Sequence, residues 1–176
     1  LRDPKDAFVS SYFFLRDGLY GSAMPTVETW YRLFLSKNFM MGGSWASNAV
    51  GYWAQHQRPN VLVLSFKSMK QDLRGAVRAV AALLGIAASD ALIDEVCRLS
   101  SFDYMKRIDH KFQMGKLHAL REAGSMIRKC SQGGSSELLT PAQQHEIDVH
   151  CHAELRELGS DFTYSEFCDL APAVHT

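Results

Sequence analysis

A chain of 176 residues with 47% hydrophobic and 22% charged side chains is long enough to bury a core and has the make-up of one globular domain. Lysine and arginine total 19 against 19 for aspartate and glutamate, so no bulk charge draws the chain to nucleic acid or to an acidic membrane, and any anion site must be local. The four cysteines, Cys97, Cys130, Cys151 and Cys168, show neither CxxC spacing nor a dense framework, which fits reduced thiols in a cytoplasmic protein better than disulfides or zinc; neither a signal peptide nor a membrane span is read.

The first element is a helix. Asp3 suits its cap, Pro4 its first turn, and Asp6 the third position of a capping box, while Phe8, Tyr12, Phe13 and Leu15 give it an apolar side. Arg2 stands just before the amino end, where backbone amides and the helix dipole favour an anion. Ser10 lies seven residues past Asp3, two turns along the same side, so an anion held by both Arg2 and Ser10 must lie along the helix rather than on its tip. The plain alternative is a capped helix with an exposed arginine. Gly18, Gly21 and Pro25 then mark a loop, and Thr26 opens a helix whose Val27, Trp30, Leu33 and Phe34 recur at core spacing.

After the break at Met40-Met41-Gly42-Gly43 comes a stretch with Trp45, Gly51, Tyr52 and Trp53, and a turn at Pro59-Asn60 leads into Val61, Leu62, Val63 and Leu64, a continuous apolar run expected to be a strand buried on both faces. Phe66-Lys67-Ser68-Met69 follows, with Ser68 read as the cap of a helix that turns Leu73, Val77, Val80, Ala81 and Leu84 inward and ends at Gly85. From Asp90 to Leu99 another amphipathic helix is expected, with Leu92, Ile93, Val96 and Leu99 inward and Ser101 capping what comes next. Residues 107–123 leave helix, lid and loop open. Arg128-Lys129 opens a glycine-rich loop, and Thr140-Pro141-Ala142-Gln143 is a capping box that starts a helix expected to run to about Leu158, before Gly159. His145, His150 and His152 do not share the four-residue spacing of a helical metal site.

Four segments resemble, in order, those of the cytosolic sulfotransferases. Arg2-Asp3-Pro4-Lys5-Asp6 with Val9-Ser10 is similar to R-x-P-K-D-x-x-V-S, and Gly43-Ser44-Trp45 with Gly51-Tyr52-Trp53 to the GSW…GYW helix, although Asn48 replaces a histidine there. Ser100-Ser101-Phe102-Asp103-Tyr104-Met105-Lys106 resembles T-S-F-x-x-M-K, and Arg128-Lys129-Cys130 with Gly133-Gly134-Ser135 resembles R-K-G-x-x-G-D-W. The resemblance implies an α/β fold of three layers, P-loop nucleotide-kinase-like with a parallel sheet, present here as a mostly helical carboxy-terminal part over residues 1–170 with a tail at 171–176. It also implies that the upstream strands, the phosphosulfate-binding loop with its lysine and the catalytic histidine precede this chain, so that no catalytic residue is assigned within it.

By the same resemblance the cofactor is 3'-phosphoadenosine 5'-phosphosulfate (PAPS), or its product adenosine 3',5'-bisphosphate. Arg2, Ser10, Arg128 and Lys129 would hold the 3'-phosphate, and Phe66, Ser100, Phe102 and Met105 would border the adenine. Phe66 stands where the family has tyrosine, keeping the ring face without the hydroxyl, and a phenylalanine buried beside a strand is the equal alternative. Cys130 stands where the family has glycine, and its side chain would crowd a phosphate that approaches the backbone. The expected activity is sulfuryl transfer to a hydroxyl or amine of a small-molecule acceptor. The reading from another class is a truncated, non-catalytic nucleotide-binding or packing module. Of the family's dimer motif only Thr140 is retained, and no metal, nucleic acid or membrane partner is expected.

Overall fold

The computed structural model describes residues 1–36, 43–112, 127–128 and 133–163, arranged as two compact units. One contains the segments Pro4–Ser44 and Ser101–Val149; the other contains Leu1–Asp3, Trp45–Ser100 and His150–Thr176.

In the first of these, α1 (Pro4–Leu15) follows directly on Asp3 and buries Phe8, Val9, Tyr12, Phe13 and Leu15. Proline suits this start because its missing amide hydrogen has no partner in a first helical turn. Phe8 is fully enclosed and meets two rings of α2 (Val27–Phe34) edge-on, Tyr31 at 6.2 Å and Phe34 at 5.4 Å between centroids. Thr26 caps α2, accepting the Thr29 amide at 3.2 Å, as its position before an amphipathic run implied. Two readings change here. The glycine-marked loop is first a π-turn over Arg16–Tyr20 that prolongs α1, and Leu33 faces solvent while Tyr31 takes the inward place beside Trp30 and Phe34. The Tyr31 hydroxyl donates to Glu146 at 2.7 Å; burial, then that bond and the glutamate's charge, push its pKa upward.

α7 (Phe102–Arg107) is capped by Ser101, whose hydroxyl accepts the Tyr104 amide. The capping box read at Thr140 forms on both sides: Thr140 Oγ1 accepts the Gln143 amide at 3.3 Å and Gln143 Oε1 accepts the Thr140 amide at 3.0 Å. It starts α8 (Pro141–Glu157), which closes at Gly159 in the left-handed region at φ 65.

In the other unit α3 (Trp45–Trp53) contributes Ala46 and Ala49 to a cluster with Leu155 and Phe162, flanked by Leu1, Trp45, Val50, Trp53 and Val63. The Trp53 indole donates to Asp161 at 3.1 Å and its ring stacks on His56, so part of the aromatic motif is accounted for by packing. Ser65, not Ser68, caps α4 (Phe66–Gln71), and Asp72 caps α5 (Leu73–Leu83) through the Gly75 amide at 2.7 Å; two short helices replace the single one expected. α6 (Asp90–Leu99) has the expected bounds and is capped by Ser89. Arg78 and Arg74 both donate to Asp90 and hold its carboxyl below the usual carboxylate range.

The largest departure concerns the sheet. Among the described residues there is no β-strand, and residues 61–64 are neither helix nor strand. A strand is established by a backbone ladder, and here a single residue supplies one. The Leu1 amine donates to the Leu64 carbonyl at 2.7 Å and the Leu1 carbonyl accepts the Phe66 amide at 2.8 Å. Leu1 thus brackets Ser65 in the manner of a parallel pair, which is the pairing expected of this run but one residue long.

Candidate functional site

α1 carries the part of the site that can be built from geometry. Asp6, Ser10 and Phe13 fall at i, i+4 and i+7, one stripe along its side. Gly133 donates its amide to Asp6 Oδ2 at 3.2 Å, and the Arg128 guanidinium lies 4.1 Å from the Phe13 ring centroid. The two described ends of the glycine-rich loop are therefore both anchored to this stripe. Seven residues of helix separate the anchors by roughly 10 Å, with Ser10 between them. An anion held by Ser10 and Arg128 would lie beside the helix rather than on its tip.

The loop can make this approach because Gly133 takes φ 70, a left-handed conformation that side chains resist. Beyond it the 3₁₀ turn Gly134–Glu137 is fastened by the buried Ser135, whose hydroxyl donates to Gln144 Oε1 at 2.9 Å in the first turns of α8. The turn brings Glu137 to Arg128: Nη1 lies 2.8 Å from each carboxylate oxygen. Both side chains are about one-third exposed, which keeps the pair within reach of water. Lys129 and Cys130 lie outside the described residues. On the other side of the arginine, Lys106 Nζ reaches the Ile127 carbonyl and the Ile127 amide donates to Asp109 Oδ1 at 3.1 Å.

Three of these residues escaped the sequence reading. The sequence pattern assigns Asp6 to the helix's own amino end and Phe13 to the core, and gives Glu137 no role. Asp6 and Gly133 are 127 positions apart. No local pattern carries a contact of that kind.

In the other unit the structure brings Arg2 and Phe66 together: the guanidinium lies 4.5 Å from the ring centroid, a cation–π contact. The Arg2 carbonyl accepts the Trp45 indole at 3.1 Å, so the first motif is tied to the second. Phe66 is the first residue of α4 and half-buried, and at least part of its ring surface serves the arginine. Ser100, just past α6, is exposed. Phe102 and Met105 sit three apart on α7, half-buried, the spacing of neighbours on one helix side. Among the described residues no group of three or more His, Cys, Asp or Glu side chains is placed to hold a metal ion, and no helix is long and apolar enough to cross a membrane.

Comparison with known proteins identifies the family of the chain. The sulfotransferase domain family matches residues 1–159. The luciferin sulfotransferase of Photinus pyralis is 34% identical over 178 aligned residues, covering 97% of this chain and 46% of that protein. The 3-alpha-hydroxysteroid sulfotransferase of Cavia porcellus is 31% identical over 149 residues, covering 84% and 52%. Among solved structures, mouse sulfotransferase SULT7A1 complexed with PAP superposes with a TM-score of 0.72 at 26% identity, covering 90% of this chain and 58% of that one. Retinol dehydratase in complex with androsterone and inactive cofactor PAP gives 0.77 at 19% identity, covering 94% and 48%, a likeness of fold. This chain belongs to the sulfotransferase family. It spans about half the length of the curated relatives it matches.

Proposed function

We propose that this chain forms the 3'-phosphate and adenine side of the donor site in a sulfotransferase that moves a sulfuryl group from PAPS to a hydroxyl or amine of a small-molecule acceptor. When bound, the donor supplies the sulfuryl group on a leaving group that is already good. The part of this chain is to hold the nucleotide in line: Arg2, Ser10, Arg128 and Lys129 on the 3'-phosphate, and Phe66, Ser100, Phe102 and Met105 about the base, with Cys130 beside the phosphate. Residues 1–170 are read as the carboxy-terminal part of a single domain of three-layer α/β type, whose parallel sheet would continue from the Leu1–Ser65 pairing. A cytoplasmic location belongs to the same reading.

The observation that carries the proposal is the anchoring of both loop ends to the α1 stripe, Gly133 on Asp6 and Arg128 on Phe13, with Ser10 between. The guanidinium already meets an oxyanion in the carboxylate of Glu137, so its donor set suits the group it is proposed to take. The fit of the group rests on that chemistry.

The test is calorimetry on the chain extended by its upstream half. Adenosine 3',5'-bisphosphate should bind better than adenosine 5'-phosphate. Arg128→Ala should weaken the bisphosphate about ten-fold or more, since a charged hydrogen bond is worth on the order of 1.5–3 kcal/mol, and should leave the monophosphate nearly unchanged. Equal affinities, indifferent to Arg128→Ala, would remove the donor site and leave a packing module. Turnover is expected of the extended chain and not of these 176 residues alone.

A further inference from the structure

We infer that Glu137 is an internal competitor for the anion site: its carboxylate occupies Nη1 of Arg128, and a phosphate that takes that nitrogen must exchange with it. The inference rests on the donor-site reading above and adds a residue that sets the affinity and selectivity of that site. Three observations carry it. Nη1 of Arg128 lies 2.8 Å from both Glu137 oxygens, so the carboxylate sits where an incoming oxyanion would be received. The guanidinium is backed by the Phe13 ring at 4.1 Å, which fixes it beside the α1 stripe; what varies is which anion it meets. Glu137 itself stands on a supported turn, with Ser135 bonded to Gln144 and Leu139 buried just beyond, so the carboxylate is presented rather than met by accident.

The energetics favour exchange over permanent closure. A pair about one-third exposed is worth little, whereas a dianionic phosphate brings more charge and a third oxygen to the guanidinium. A singly charged ligand gains no such advantage over the resident carboxylate. Glu137 would thus admit a phosphate dianion and turn away weaker anions, a filter built from one side chain nine positions past the arginine.

The experiment is calorimetry with adenosine 3',5'-bisphosphate on Glu137→Gln in the upstream-extended chain, a change that keeps the size of the side chain and removes its charge. Bisphosphate binding should tighten about two- to five-fold, the range for an exposed pair released from competition. Adenosine 5'-phosphate should bind as before. If Glu137 instead holds Arg128 ready for the ligand, the same change weakens bisphosphate binding; if the pair is structural only, affinity stays put, and either result overturns the inference. A second measurement does not depend on the variant's folding. In the unaltered protein, titration with bisphosphate should move the carboxyl carbon resonance of Glu137 and the guanidinium resonances of Arg128 together, and a Glu137 signal that stays still at saturation refutes exchange. Absence of any preference for bisphosphate over monophosphate in the unaltered protein would sink the donor reading itself, and the competitor with it.

Discussion

The sequence assigns an apolar side to both α1 and α5, and the two sides meet opposite fates. α1 buries the side chains its pattern selects, Phe8, Tyr12, Phe13 and Leu15, with Phe8 edge-on to two rings of α2. α5 does the reverse: Ala76 and Ala79 are buried, while Val80, Leu83 and Leu84, on or next to the expected inward side, are 41%, 39% and 64% exposed. Periodicity tells that a stripe exists, and the partner decides which stripe is covered. α5 neighbours α6, with Arg74 and Arg78 paired to Asp90 between them, and Ala76, Ala79 and Ile93 are the buried side chains of the two helices. Small side chains allow close approach, and it is the alanine row of α5 that is buried rather than the larger side chains.

The sharpest way to break the contrast is to empty the α1 side. Phe8→Ala removes a fully enclosed ring held edge-on by Tyr31 and Phe34, and should cost about 3–5 kcal/mol in chemical denaturation. The melting temperature should fall by roughly 10 °C or more. A loss below about 1 kcal/mol would mean that the ring cluster is not the core of its unit.

On α5 the corresponding change is the opposite one, adding bulk to the alanine row. Ala79 is 2% exposed, and Ala79→Leu should cost about 1–3 kcal/mol by forcing α5 from its neighbour. A stabilising result would show that the row has room and that α5 is held chiefly by its ion pairs.

What could be read from the chain and what could not divide along the same line. Caps are local, and Thr26, Ser101 and the Thr140–Gln143 box stand where the residues placed them. Ser68 loses the cap to rivals, because Ser65 three positions earlier offers the same hydroxyl and Asp72 caps the longer helix; sequence alone does not rank rival caps. The strand at residues 61–64 depends on a neighbour, and the described chain supplies only the Leu1 bracket at its end. In the site, Ser10 and Arg128 were legible as residues through the motif. Their meeting ground was not, since it rests on Asp6 with Gly133 and on Phe13 with Arg128, contacts across more than a hundred positions. Glu137 was illegible for a different reason: a lone glutamate in a polar loop resembles ordinary solvated surface until the turn at Gly134–Glu137 carries it back to the arginine.

The smallest effect is expected at the exposed side of α5, and it is the most discriminating. Leu84 is 64% exposed and, with Val80, Ile86 and Leu92, is one of the exposed apolar side chains of the α5–α6 segment. Leu84→Ser removes little buried area and should change stability by no more than about 0.5 kcal/mol, the range of ordinary surface substitutions. Solubility should rise, since an apolar side chain leaves the surface. The same substitution in the upstream-extended chain gives the second half of the comparison. A cost near zero there as well would establish the large residues of α5 as true surface and the alanine row as its whole contact. A cost of about 2 kcal/mol or more, confined to the extended chain, would show that upstream sequence covers this side, and the stripe first read as inward would then be inward in the longer protein.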